Sequence, residues 1–477
     1  MPRASLAAVP IGCGLAAAVV LYWYALTLDL APRAVSFVAF LILAVIGVRA
    51  AVTSGDLLNP LSILLALFVL RIAVPAMTVT QPEPPDSRLL ADFHVGPQEL
   101  ITGQHLASIG TLAIALGWYA TPTAATGLAA GIHRWANRSL RPDPRALPIA
   151  VLAFACGIAA TILFLALSFG DPLAAAFTGV ARNNAAPGTS RYSFLAVGLL
   201  IGSSVLVALH QAQAGAGRGR VLLPPIGACL VLTVFGGRVV ALTPLALAII
   251  GYHYLRPRDR SRQRLVPRAR TVAVAAALTI VALAYVVFVA QYRQGEGVGA
   301  VSRALSATTL RSYAEYSLWS EVGALHPYAL ASRLGPGAMA GSTYPGLLGF
   351  PGALVGLDGE QPGNVLVETF GPRGYGRPWG FQTGIVVDVY LNTSLLAALF
   401  ASLLLGVALR AEYDGFRRAG PALGSTMAHC IAVWTFIWVY FESLLVLPGL
   451  VQVILPVLAL IVIASRLLPR RNPGSSA

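Results

Sequence analysis

Apolar stretches of about twenty residues recur from one end of this chain to the other, separated by short segments in which arginine is the main charged residue. At 1.5 Å rise per residue such a stretch spans the ~30 Å hydrocarbon core of a bilayer, so the pattern predicts an all-α polytopic membrane protein. The first six stretches fall near 5–27, 32–52, 57–77, 103–123, 147–168 and 192–213. The opening Met-Pro-Arg and its apolar run imitate a signal peptide. The run continues to Leu28 with no clear cleavage site before Asp29, so it reads as the first span.

Arginine placement then sets direction. Segment 124–146 carries Arg134, Arg138, Arg141 and Arg145 against Asp143, and segment 255–270 carries seven Arg against Asp259. The positive-inside rule puts both in the cytoplasm, together with Arg218 and Arg220, Arg417 and Arg418, and the tail at Arg470 and Arg471. The stretch between Arg220 and Leu255 therefore starts and ends inside and must cross an even number of times. Its thirty-four residues allow two arms of about sixteen, just under the usual minimum of ~17, meeting at Gly236-Gly237-Arg238. A turn at that depth is tolerated only inside protein or against a wet cavity, so Arg238 is expected to face a cavity. Crossings at 271–291, 384–410, 423–442 and 446–465 complete about twelve transmembrane helices with both termini cytoplasmic. The chain divides into helices one to nine over 1–291, an extracytoplasmic loop over 292–383 between spans nine and ten, and helices ten to twelve with a short tail over 384–477.

Composition narrows the function classes. Of 477 residues 57% are hydrophobic and 11% charged, and the formal net charge is +14. That charge sits mainly in linkers, where it sets topology, so nucleic-acid binding is not expected. Every one of the 33 basic residues is Arg, which points to a GC-rich genome before it points to bidentate contacts. The four cysteines lie scattered in apolar segments without CxxC spacing and read as small hydrophobes. There is no Walker A sequence, HExxH or GxSxG elbow, and no metal site or cofactor is expected.

The loop from Tyr292 to Thr383 is the distinctive feature. Its ninety-two residues hold six Arg, six acids, His326, eleven aromatics, seventeen Gly and seven Pro. Long loops are usually functional or disordered, and disordered segments are poor in aromatics, so this one reads as a lid or binding surface on a membrane scaffold. Arg182, Arg191, Arg238 and Arg293, with Arg71, come from separate stretches yet share the outer face. Ionisable groups at that depth usually point at a pathway or partner, and the guanidinium fork suits phosphate; a cavity lined this way would take the diphosphate of a lipid carrier. Arg71 and Arg191 are equally readable as interfacial snorkellers, and Tyr292 with Arg293 as anchors of span nine. His326, Glu368, and Asp358 or Glu360 are the candidates to take a proton from a sugar hydroxyl. Six acids beside six Arg can also satisfy one another in ion pairs, which leaves the base open. The run from Phe370 to Phe381 contains Arg373, Tyr375, Arg377 and Trp379, with stacking faces for a glycan or headgroup, or an ordered interfacial turn. Asp388, Tyr390 and Asn392, early in span ten, are expected to complete the cavity.

Gly236-Gly237-Arg238 before Leu-Thr-Pro-Leu, Tyr292-Arg293 opening a large outer loop, Gly341-Ser-Thr-Tyr-Pro, and Val387-Asp-Val-Tyr-Leu-Asn-Thr entering the next span together resemble the polysaccharide repeat-unit polymerases of the O-antigen polymerase and ligase group. The resemblance covers about residues 170–410. It implies a metal-independent glycosyltransferase of the bacterial plasma membrane that moves a glycan from an undecaprenyl diphosphate donor onto a lipid-linked acceptor repeat unit at the outer leaflet. It also implies membrane lipids as surroundings and a flippase and chain-length regulator as partners. The family's diphosphate-holding arginines map onto Arg238 and Arg293, and onto Arg182 or Arg191 less directly; no His or acid aligns with a family base. The rival readings are a lipid-linked oligosaccharide flippase or other transporter, a glycosyltransferase using a polyprenyl-monophosphate sugar, and a scaffold without an active site.

Overall fold

The structure is a computed structural model of the chain. It describes residues 58–68, 93–140, 145–178, 190–235, 238–255, 326–348, 360–371 and 383–441, with isolated positions between 42 and 56 and between 458 and 463. In order, the bounded helices are α1 (Pro60–Phe68), α2 (Pro97–Ala120), α3 (Thr123–Ser139), α4 (Ala146–Phe169), α5 (Pro172–Thr178), α6 (Ser190–Gln213), α7 (Arg218–Leu232) and α8 (Arg238–Leu255). They continue with α9 (His326–Leu334), α10 (Pro362–Phe370), α11 (Gly384–Asn392), α12 (Leu395–Ala419) and α13 (Leu423–Phe441). Short 3-10 turns cover Thr233–Phe235 and Tyr344–Leu348. No strand occurs among the described residues. Six helices there are long and apolar enough to cross a membrane: α2, α4, α6, α7 with the 3-10 turn that follows it, α12 and α13. The chain is thus an all-helical protein whose apolar helices mark it as membrane-embedded.

The polar segment 124–146 is largely the amphipathic helix α3, which ends with Arg138 in its last turn and exposes Leu128, Ile132 and Trp135. The expected pair of short arms is present as α7 and α8, with a 3-10 turn ending at Phe235 and a new helix opening at Arg238. Residues 384–410, expected to be a single crossing, are instead two helices, α11 and α12, separated at Thr393 and Ser394. The cause is local. Asn, Thr and Ser side chains compete with the helical ladder for backbone groups. Here the Asn392 amide donates to Thr343 Oγ1, Thr393 Oγ1 donates back to the Val389 carbonyl, and Ser394 Oγ accepts the Ala397 N–H as the N-cap of α12.

The chain forms two compact units: residues 1–131, 311–418 and 432–449, and residues 132–310, 419–431 and 450–477. In the second, α6 is packed by α4, α7 and α8. Ala208 and Ala212 of α6 share a buried cluster with Val221 of α7 and Ala248 of α8. The helices approach closely because small residues stand at the crossings, as membrane interfaces require; a Cβ at Gly157 of α4 would come within 2.9 Å of Leu200.

The first unit is organised around α2, of whose span 94% is buried. Gly103, Gly110 and Gly117 recur at seven-residue spacing, and each marks a close approach. A Cβ on Gly103 would lie 2.6 Å from the Ala329 nitrogen of α9, one on Gly110 2.5 Å from Val386 of α11, and one on Gly117 would strike the Leu403 carbonyl of α12. Gly406 of α12 reciprocates against the Ile114 carbonyl. α2 is therefore a spine with one glycine seat for each of three partners.

Candidate functional site

Two pieces of the long 292–383 segment, 326–348 and 360–371, are folded onto the first unit as a cap. α9 lies across α2 at Gly103 and also meets α10 and α11. Past α9, Gly337 takes φ +75°, a left-handed conformation that glycine adopts at little cost. The chain then turns along the end of α11. There the Gly337 N–H donates to the Tyr390 carbonyl at 3.0 Å and the Met339 N–H to the Leu391 carbonyl at 2.8 Å. These carbonyls are among the last of α11, which have no partner within their own helix; a helix that stops inside protein needs such acceptors filled. The Glu360 N–H donates to the Ser342 carbonyl at 3.1 Å, joining the two cap pieces.

Side chains repeat the connection. Asn392 receives the Thr343 N–H on its Oδ1 at 3.1 Å and donates through Nδ2 to Thr343 Oγ1 at 2.8 Å and to the Asp388 carbonyl at 2.7 Å. Both Asn392 and Thr343 are buried. The Asp388 carboxylate, fully enclosed in α11, accepts the Thr383 hydroxyl. Gly384, at φ +68°, lets the start of α11 pass against the Tyr440 carbonyl of α13, and the Tyr440 hydroxyl pairs with Thr111 of α2.

Arg333, near the end of α9, fastens the outer edge. Its guanidinium stacks on the Phe370 ring of α10 with its carbon 5.0 Å from the centroid, lies 3.6 Å from Glu99 of α2, and donates to the Phe93 carbonyl at 3.4 Å. Glu99 also accepts the Gly96 N–H at 2.5 Å, so it caps α2 while it holds the cap. Elsewhere the packing encloses polar atoms of α2 and α13. Gln104 Oε1 of α2 and the indole N–H groups of Trp434 and Trp438 of α13 have no hydrogen-bond partner among the described residues. Buried polar atoms in this condition ask for a ligand or water.

The residues expected to act divide by position. His326 begins α9 and is fully enclosed, while Glu368 is exposed on α10. Arg238 opens α8, and Arg191 falls in the first turn of α6; their side chains are not among those described. Asp358, Arg182, Arg293, Tyr292, Arg373, Tyr375, Arg377 and Trp379 lie outside the described residues. Asp388 and Asn392 take part in seating the cap. Gly103 and Arg333 were missed in the sequence, although the seven-residue glycine spacing along α2 was there to be read. No group of three His, Cys, Asp or Glu able to hold a metal ion occurs among the described residues. Comparison with protein-family models, with curated proteins and with solved structures finds no match for this chain.

Proposed function

We propose that the protein is a polysaccharide polymerase that transfers a lipid-diphosphate-linked glycan onto a lipid-linked acceptor repeat unit at the outer leaflet. The observation that carries this reading is the seating of the cap on a helix that ends within the protein, with the cap's own amides on the Tyr390 and Leu391 carbonyls. A glycan polymerase needs a lipid-level site for the carrier and a folded covering that excludes water from the reacting centre. In the reaction, the acceptor hydroxyl oxygen bonds to the anomeric carbon as the carbon–oxygen bond to the diphosphate breaks, and the electron pair leaves with the diphosphate. Arg238 with Arg293, Arg182 and Arg191 would stabilise that growing charge. The hydroxyl proton passes to a base. Glu368 is exposed on the cap and accessible to an acceptor, whereas His326 is enclosed.

One observation favours a second reading. Among the described residues the helical path of 384–419 is interrupted at Thr393-Ser394, and broken helices are a feature of transporters. Liposomes holding the purified protein and a synthetic lipid-diphosphate glycan distinguish the two. Longer glycans support the polymerase, and appearance of unextended glycan in the opposite leaflet supports the flippase.

A further inference from the structure

A helix on the surface of a water-soluble body turns its large apolar side chains inward, and α3 does the reverse. Leu128, Ile132 and Trp135, at i, i+4 and i+7 on one face, are 71%, 56% and 67% exposed. The residues turned inward are small or polar: Thr126, Ala130 and His133 are buried. The packing fixes that orientation along the helix. In the first unit Ala129 and Ala130 lie against Gly415 of α12, where a Cβ would come within 2.6 Å of the Ala129 side chain. In the second, Asn137 accepts the Ser425 N–H of α13 at 2.7 Å, and a Cβ on Gly424 would strike the Ala136 carbonyl. Both partner positions are glycines set against α3, so its small, polar side is held to the protein and its apolar stripe faces out.

The same contacts give the depth of α3. Gly424 and Ser425 stand in the first turn of α13, a helix long and apolar enough to cross a membrane. On α12 the sequence is uncharged from Leu395 through Leu409 and becomes charged at Arg410. Gly415 follows about 7.5 Å beyond Arg410 at 1.5 Å rise per residue. The helix leading into α3 after Thr121-Pro122 is α2, itself such a span. α3 is therefore held where apolar spans reach their ends, which is the level of lipid headgroups. Arg134 and Arg138, at i and i+4, are both exposed and lie along one edge of the stripe, with Trp135 beside them. Arginine and tryptophan together at the edge of apolar surface are characteristic of that depth.

We propose that the outer face of α3 lies in the membrane interface and engages anionic phospholipid. Leu128, Ile132 and Trp135 enter among the first acyl carbons, and Arg134 and Arg138 rest on lipid phosphates. An apolar stripe with a cationic edge is what an in-plane interfacial helix presents to a bilayer. Attraction of a cation to an anionic surface depends on its charge, and each Arg is worth about fivefold in lipid preference. The inference rests on the membrane-embedded fold and not on the polymerase reading.

The test reconstitutes the full-length protein in vesicles of phosphatidylcholine and phosphatidylglycerol in equal parts. The fluorescence that W135F removes is expected to be quenched when the acyl chains carry bromine near the headgroup, and to be shielded from aqueous iodide. In mild detergent, native mass spectrometry is expected to show phosphatidylglycerol retained over phosphatidylcholine. R134Q and R138Q should each lower that preference about fivefold, while R138K, which keeps the charge, should stay near wild type. Quenching of the Trp135 fluorescence by iodide and not by brominated lipid overturns the proposal. So does an undiminished preference for phosphatidylglycerol when both arginines are replaced by Gln in protein that elutes as wild type on size exclusion. A dimer in detergent that separates on I132S and W135S also overturns it, by assigning the face to a second copy of the chain. The fluorescence comparison decides the matter if an arginine variant does not fold.

Discussion

Asn392 ties cap to scaffold with one amide, which serves Thr343 twice and the Asp388 carbonyl of its own helix once. Asn392→Leu keeps the branched shape and strands the Thr343 N–H and hydroxyl in a buried site, at a cost of about 1–3 kcal/mol. The expected result is a lower melting midpoint in detergent, with faster protease cleavage within 326–348 than in wild type. Gly103 makes the complementary case, since any side chain there meets the α9 backbone at Ala329. Gly103→Val should cost about 1–3 kcal/mol by overpacking and reduce glycan elongation, while Gly131→Val, where a Cβ meets nothing within 4 Å, should leave elongation unchanged. These roles were hidden at the level of single letters. A helical glycine reads as a small loss of propensity, and Asn392 as a polar residue of a span, until the partner segment far along the chain is placed beside it.

Apolar length carried well into helices. The spans expected at 103–123, 147–168 and 192–213 correspond to α2, α4 and α6, while the break expected at Gly236-Gly237 lies outside the described residues. The division between α11 and α12 was not readable in the same way. Its residues are short and polar, they barely lower the hydropathy of 384–410, and one of them, Asn392, acts through a pairing with Thr343 that exists only once the cap is docked. Replacing Asn392-Thr393-Ser394 by three alanines is expected to favour one continuous helix, remove the carbonyl ends that Gly337 and Met339 occupy, and release the cap. Hydrogen exchange of the Gly337 and Met339 amides should then rise well above the wild-type rate; unchanged protection would show that the break is imposed by something other than these three residues.

For the molecule as a whole, hydropathy identified a membrane-embedded helical protein and the composition of 292–383 predicted a folded segment, of which 326–348 and 360–371 are described, both properties set by local residue type. The chemistry was less legible, because a phosphate site is made by residues that meet only in three dimensions. His326, singled out for its imidazole, is enclosed at the start of α9, whereas Glu368 is open on the cap surface. Glu368→Gln therefore should slow elongation more than it alters melting, with kcat falling at unchanged thermal midpoint if the carboxylate takes the acceptor proton.

The measurement that bears most directly on the polymerase account is glycan elongation in proteoliposomes, with wild type and Arg238→Ala compared at equal amounts of inserted protein. The account predicts a ladder of lengthened lipid-linked glycans from wild type and none from the variant. Full-length ladders from Arg238→Ala, or leaflet crossing without elongation by wild type, would contradict it.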